Sequence, residues 1–138
     1  MKIKFSEIED AFEFVGCAGH GEHTALLDKK DGKIYFHSEY SDFDEIPEEV
    51  YESDSVVEIP HKKSLDLGTR LVFRFVDEMM PDDYDAVHKI FSRRSAYAYY
   101  KDLLAEKEML DAWYAYENAA TRKAVREWCT DEEIELAD

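Results

Sequence analysis

The sequence predicts an α+β fold: a short N-terminal helix and a small, mostly antiparallel sheet, followed by a layer or bundle of four helices. Three observations predict it. Two apolar runs flank an Asp31-Gly32 turn, the signature of a β-hairpin. From residue 63 onward apolar side chains recur at helical spacing with hardly a breaker, whereas residues 1–62 hold four of the five Gly and two of the three Pro. The chain has 138 residues, with eight Phe, nine Tyr and two Trp to fill a core, which suits a single domain over 1–138. Within it, 1–62 reads as the α/β-hairpin portion and 63–138 as the helical portion.

Ser6 followed by Glu9 reads as a capping box for a helix over 7–15, with Ile8, Ala11, Phe12 and Val15 on one face. Gly16, Gly19 and Gly21 end that helix in a loop. Strands follow at 24–28 and 33–38, and a third at 56–59 stops at Pro60. Between them Pro47-Glu48-Glu49 resembles a helix start, with Pro in the first turn and negative charge at the positive end of the dipole. Ser64 can cap a helix over 64–79 in which Leu67, Leu71, Phe75 and Met79 repeat at four. Pro81 breaks it. A short helix then carries Tyr84, Val87, His88 and Phe91 on one face, with His88 read as a satisfied core residue. A helix over 96–104 follows a turn at 92–95. The last helix, over 108–129, traces a stripe through Leu110, Trp113, Tyr114, Glu117, Ala120, Ala124 and Trp128, of which Glu117 is the exception. Thr130 with Glu133 reads as the cap of one further turn. Trp113, Trp128, Phe75, Leu71 and Phe91 are the expected core.

The chain carries 33 acidic against 17 basic side chains, a formal charge of −16. Phosphate backbones and anionic lipid repel such a chain, which disfavours nucleic-acid and membrane-surface binding. No apolar run approaches the roughly 20 residues that span a bilayer. The start of the sequence lacks the apolar stretch of a signal peptide, so a cytoplasmic location is expected. Cys17 and Cys129 are then expected as free thiols.

Four constellations are candidates for function. Cys17, His20 and His23 share a Gly-containing loop, and thiolate with imidazole suits Zn²⁺, with His37 or Glu22 as a fourth ligand. No second pair stands at zinc-ribbon spacing, so no metal is expected. Arg93 and Arg94 precede Tyr97, Tyr99, Tyr100 and Lys101, a mixture able to hold phosphates and stack bases; the plainer reading packs the tyrosines inward and pairs the arginines with surplus carboxylates. Residues 39–58 hold nine Asp or Glu and no Lys or Arg. A charge run is usually a solvated face. Yet Asp42, Phe43, Asp44 and Glu45, then Glu49, Tyr51 and Glu52, alternate acid with apolar anchors, as a face that docks a basic partner does. Catalysis has no signature: there is no HExxH, nucleophile elbow or phosphate-cradling Gly-Lys loop, and no cofactor is implied.

The order of these pieces resembles an uncharacterised bacterial protein family, UPF0158. The resemblance rests on the Lys-Asp-Gly-Lys hairpin turn, on Glu58-Ile59-Pro60, on the helix holding Phe75, on Ala96-Tyr97-Ala98-Tyr99-Tyr100-Lys101-Asp102, and on Trp113 with Tyr116 and then Glu127-Trp128. Where the family places Gly-Arg-Gly before the Tyr-rich segment, this chain has Arg93-Arg94-Ser95. The resemblance implies a shared fold and no assigned activity. The sequence therefore points to a non-enzymatic interaction module with an acidic binding face and a basic protein partner. The alternative is a small ligand-binding domain or enzyme with a Tyr/Trp-lined pocket. Contact of Arg93, Arg94, Tyr97 and Lys101 with a nucleic acid or ligand ranks behind both, and oligomeric state is left open.

Overall fold

A computed structural model describes residues 2–17, 19, 21–40 and 46–137. The elements are β1 (Lys2–Ile3), α1 (Phe5–Gly16), β2 (His23–Asp28), β3 (Ile34–Ser38), α2 (Glu48–Tyr51), β4 (Val56–Glu58), α3 (Thr69–Met79), α4 (Tyr84–Ile90), α5 (Ala96–Glu106), α6 (Leu110–Asp131) and β5 (Glu135–Leu136). The fold is α+β. Chain contacts divide it into two compact units, one of residues 1–65 with 122–138, the other of 66–121.

In the first unit β2 is the central strand, in the order β3-β2-β4, with both neighbours antiparallel. Ala25 opposes Phe36, and Leu26 opposes both Tyr35 and Glu58. Gly32, at φ 76, supplies the left-handed residue of the connecting turn, and the Asp28 and Asp31 side chains accept from the amides of Lys30 and Lys33. Side chains alternate across a strand. Leu26 accordingly joins Ile46 and Val50 in one buried cluster, with Tyr35 and Val56 packed against it. Helix α1 buries Phe5, Ile8, Ala11, Phe12 and Val15, the face its periodicity predicts. It begins two residues earlier than the predicted capping box, with Lys4 in the cap position and no side-chain cap bond, so Ser6 lies inside the helix. The end of α6 belongs to this unit. Arg126 lies 4.0 Å over the Phe5 ring, and Arg122 pairs with Glu9 at 3.2 Å. Strand β5 pairs in parallel with β1, replacing the predicted terminal helical turn; the Thr130 hydroxyl donates back to the Arg126 carbonyl instead of capping.

The second unit is helical. The predicted helix 64–79 is interrupted: a 3-10 turn at Lys62–Leu65 gives way to Asp66 at φ 58, a left-handed residue that a right-handed helix does not continue through. Gly68 then stands at the start of α3, which buries Leu71, Val72, Phe75 and Val76 and leaves Met79 exposed. Aromatic rings carry the packing. Phe73 meets Phe91, Phe91 meets Tyr100, Tyr100 meets Trp113, and Trp113 meets Phe75, each at a centroid separation between 5.3 and 5.8 Å. Such tilted and edge-on pairs contribute about 0.5–1.5 kcal/mol each beyond area burial. Trp113, Phe75 and Leu71 are fully buried, as expected, but Phe91 and Trp128 are only half-buried. His88 is exposed on α4, its ring 6.0 Å from Phe73, and is not a core residue.

Ser95 stands before α5 at φ 58. A side chain in this region costs about 1–2 kcal/mol, partly offset by the greater freedom glycine loses on folding. A glycine at this point would take the same angle without the Cβ penalty. Ser95→Gly is expected to raise stability by about 0.5–1 kcal/mol in urea denaturation. Trp113→Ala is expected to cost about 3–5 kcal/mol, and Trp128→Ala less, because its side chain is already partly exposed to water. An unchanged midpoint for Trp113→Ala would show that this ring does not support the core.

Candidate functional site

Within the acidic segment, Asp42, Phe43, Asp44 and Glu45 lie outside the described residues. The remainder is ordered around α2. Pro47 precedes the helix, and Glu48 and Glu49 occupy its first turn, where negative charge suits the dipole. Ile46 and Val50 turn inward and are buried. Glu48, Glu49 and Glu52 are exposed, and Tyr51 is 54% exposed among them. Of Ile46, Val50 and Tyr51, two serve the core and one faces solvent. Tyr40 is 73% exposed; its hydroxyl donates to Glu22, which holds the Glu22 carboxyl below its ordinary range and raises the phenol of Tyr40.

In the Gly-containing loop, His20 lies outside the described residues, and Cys17 and His23 come together. Cys17 Sγ lies 3.4 Å from His23 Nδ1 and donates to the Phe14 carbonyl at 3.1 Å. His23 Nδ1 also contacts that carbonyl, at 2.7 Å, and the ring stacks on Phe14 at 4.3 Å. A carbonyl partner makes Nδ1 the protonated nitrogen, so that only Nε2 of this ring keeps a lone pair for a metal. The two residues considered for a fourth ligand are engaged elsewhere: Glu22 accepts from the Gly19 amide at 2.7 Å, and His37 lies 3.7 Å from Glu39. Among the described residues no group of three His, Cys, Asp or Glu could hold a metal ion.

Arg93, Tyr97 and Lys101 do not converge on one point. The Arg93 guanidinium lies 4.6 Å over Tyr99, whereas Lys101 lies over Tyr97 and Tyr114. Arg94 is exposed. Tyr97 donates to Glu117 Oε2 at 3.2 Å, which explains the one acid in the apolar stripe of α6. Burial raises the phenols of Tyr97 and Tyr100, and the Glu117 charge adds to both. Tyr100 and Trp113 are wholly buried, and their hydroxyl and ring N–H have no hydrogen-bond partner.

One concave feature escapes sequence reading. A cleft of about 240 Å³ in the first unit is lined by Val15, Gly21, His23, Glu58, Ile59, Pro60, His61 and Ser64. It contains no Tyr or Trp. His61 is 5% exposed, and its Nδ1 accepts from the Lys63 amide at 3.1 Å. His61 lies in the segment after β4, and its burial is a tertiary effect that periodicity does not signal.

The α+β arrangement, among the described residues a three-stranded antiparallel sheet with six α-helices, defines the structural class. The chain belongs to the uncharacterised protein family UPF0158, whose family model matches residues 1–138. No curated protein and no solved structure matches the chain. Among the described residues no helix is long and apolar enough to cross a membrane.

The two thiols differ in a measurable way. Cys17 is exposed, whereas Cys129 is buried and its thiol is pushed up to about 11 by desolvation, against a smaller opposing effect of Arg126. A chromogenic disulfide reagent at neutral pH is expected to titrate one thiol in the folded protein and two in guanidinium. Loss of the fast thiol in Cys17→Ser assigns it; equal rates for both thiols would contradict the burial of Cys129.

Proposed function

We propose that this chain is a non-enzymatic protein-interaction module whose acidic face docks a basic protein partner. The observation that carries this reading is Tyr51, 54% exposed on a short helix whose one other apolar side chain, Val50, is buried. Glu48, Glu49 and Glu52 are exposed around it. An aromatic ring held on a rigid helix loses little entropy on contact, so it serves as an anchor, while the carboxylates steer the partner and fix its register.

Charge supports the same reading. The unit made of 1–65 and 122–138 holds 22 acidic against 10 basic residues, and the unit 66–121 holds 11 against 7. The field that attracts a basic partner thus originates mainly in the unit bearing Tyr51. Steering of this kind weakens as salt shortens the Debye length from about 10 Å at 0.1 M to about 3 Å at 1 M.

The test is a tagged pull-down from source-cell lysate, washed at low and high salt, repeated with Glu48→Gln, Glu49→Gln, Glu52→Gln combined and with Tyr51→Ala. The expected result is a stoichiometric basic protein retained by the parent, released by salt and lost from both variants, whose thermal melts match the parent. An empty pull-down, or capture indifferent to both variants, would overturn the reading.

A further inference from the structure

Helices α5 and α6 meet in the helical unit along an edge bearing four side chains. Tyr97 and Lys101 stand one turn apart on α5, and Tyr114 and Glu117 one turn apart on α6. The Lys101 ammonium lies 5.6 Å from the centroid of Tyr97 and 5.5 Å from that of Tyr114. Both rings are 38% exposed, so each keeps a surface open to solvent. The Tyr97 hydroxyl donates to Glu117, whose carboxylate is half-buried. Among the described residues neither Lys101 nor Glu117 has an ion-pair partner within 4.0 Å. One ammonium is therefore held by ring faces alone, and one half-buried carboxylate beside it has no cation.

Two aromatic faces with a carboxylate at their rim are the elements by which proteins recognise alkylammonium groups. We propose that Tyr97, Tyr114 and Glu117 form a binding site for a methylated ammonium group, with Lys101 as its intramolecular occupant. The ring quadrupoles attract the cation, and Glu117 adds a full negative charge. A trimethylammonium head competes well with Lys101, because the lysine ammonium is compact and strongly hydrated and gives up more water to sit on a ring. Lys101 is exposed on a flexible stem, so it can leave without disturbing either helix. The ligand is either a small quaternary ammonium compound or a methylated lysine in a peptide.

The surroundings admit an opposite reading, and Lys101 separates the two. Residues 89–101 hold four basic and no acidic side chains, which suits a phosphate-bearing ligand. For a cation Lys101 is a competitor and a like charge; for an anion it is a contact. Two observations favour the cation. Glu117 lies within the edge itself, and the chain as a whole is at −16. Arg93, a further base of the same stretch, sits on Tyr99 and not on this pair of rings.

The experiment follows the ring signals of Tyr97 and Tyr114 by NMR in the full chain. The titrants are tetramethylammonium chloride, a trimethyl-lysine peptide and the same peptide unmethylated, at constant ionic strength. Both methylated probes are expected to shift the two rings, and the unmethylated peptide to shift them less. A response to both probes with similar affinity assigns the site to small ammonium compounds, and a marked preference for the peptide assigns it to a protein partner. Lys101→Ala is expected to tighten binding by about two- to five-fold, the reverse of a lost contact. Glu117→Gln and Tyr114→Leu are expected to weaken it, while Tyr97→Phe, which keeps the ring face, retains most of it. No ring shift in either the parent or Lys101→Ala would overturn the proposal. So would weaker binding in Lys101→Ala, or retention of a single-stranded oligonucleotide that Lys101→Ala abolishes. The variant neutralised at Glu48, Glu49 and Glu52 is expected to bind these probes like the parent, so this site and the acidic face fail or succeed separately.

Discussion

The centre of strand β2 has no face left for solvent, and the first unit is organised by that constraint. Ala25, Leu26 and Leu27 are all buried. Because consecutive side chains leave a strand on opposite sides, both sides must be covered. On one, Leu26 is met by Ile46 and Val50. On the other, the residues flanking Leu26 are covered next to α1, whose Phe14 stacks on His23 and meets Phe36 edge-on, opposite Ala25. A one-residue slip in the pairing would exchange the two faces and bury the wrong set. The acidic character of α2 follows from the same demand. With Ile46 and Val50 committed to the core, the remaining positions of so short a helix point outward, and the sequence fills them with Glu48, Glu49, Tyr51 and Glu52.

Elements fixed by local periodicity were legible in the sequence. The face of α1, the hairpin around Gly32, and the buried positions Leu71 and Phe75 of α3 follow from spacing alone. Features fixed by tertiary context were not. The pairing of β1 with β5 joins two-residue segments from opposite ends of the chain, too short for any alternation to show. The apolar stripe of α6 predicted Trp128 as core, yet Val125 and Cys129 are the buried residues there. The reason is that α6 contributes to two units, changing at residue 122, so no single stripe describes its length. The break at Asp66 is a backbone angle, and its one mark in the sequence, Gly68 two residues on, sits inside an apolar repeat that continues across it.

Of the candidate sites, charge was legible and convergence was not. Sequence placed Tyr51 and its carboxylates in one acidic run, but only the fold separates it from its apolar neighbours Ile46 and Val50, which are buried. Glu117 was visible as an anomaly in an apolar stripe, and its explanation, the Tyr97 hydroxyl, lies on another helix. The Arg93 and Lys101 positions read as one basic patch, whereas their charged ends rest on different tyrosines.

The surplus of acid bears on function through stability. With 33 acidic and 17 basic side chains, even complete pairing leaves 16 carboxylates without a partner. The ion pairs Arg70–Asp66, Lys107–Asp83 and Arg122–Glu9 each hold a basic side chain at least half open to water, and such pairs are worth at most about 1 kcal/mol each. They do not offset repulsion spread over the whole chain. Self-repulsion of this kind opposes compaction and is relieved by salt or by a bound cationic surface. The unit 1–65 with 122–138, at 22 acidic to 10 basic, carries most of that cost and also presents Tyr51. A basic partner on this face would neutralise charge that the isolated chain leaves uncompensated, so binding and folding stability would rise together.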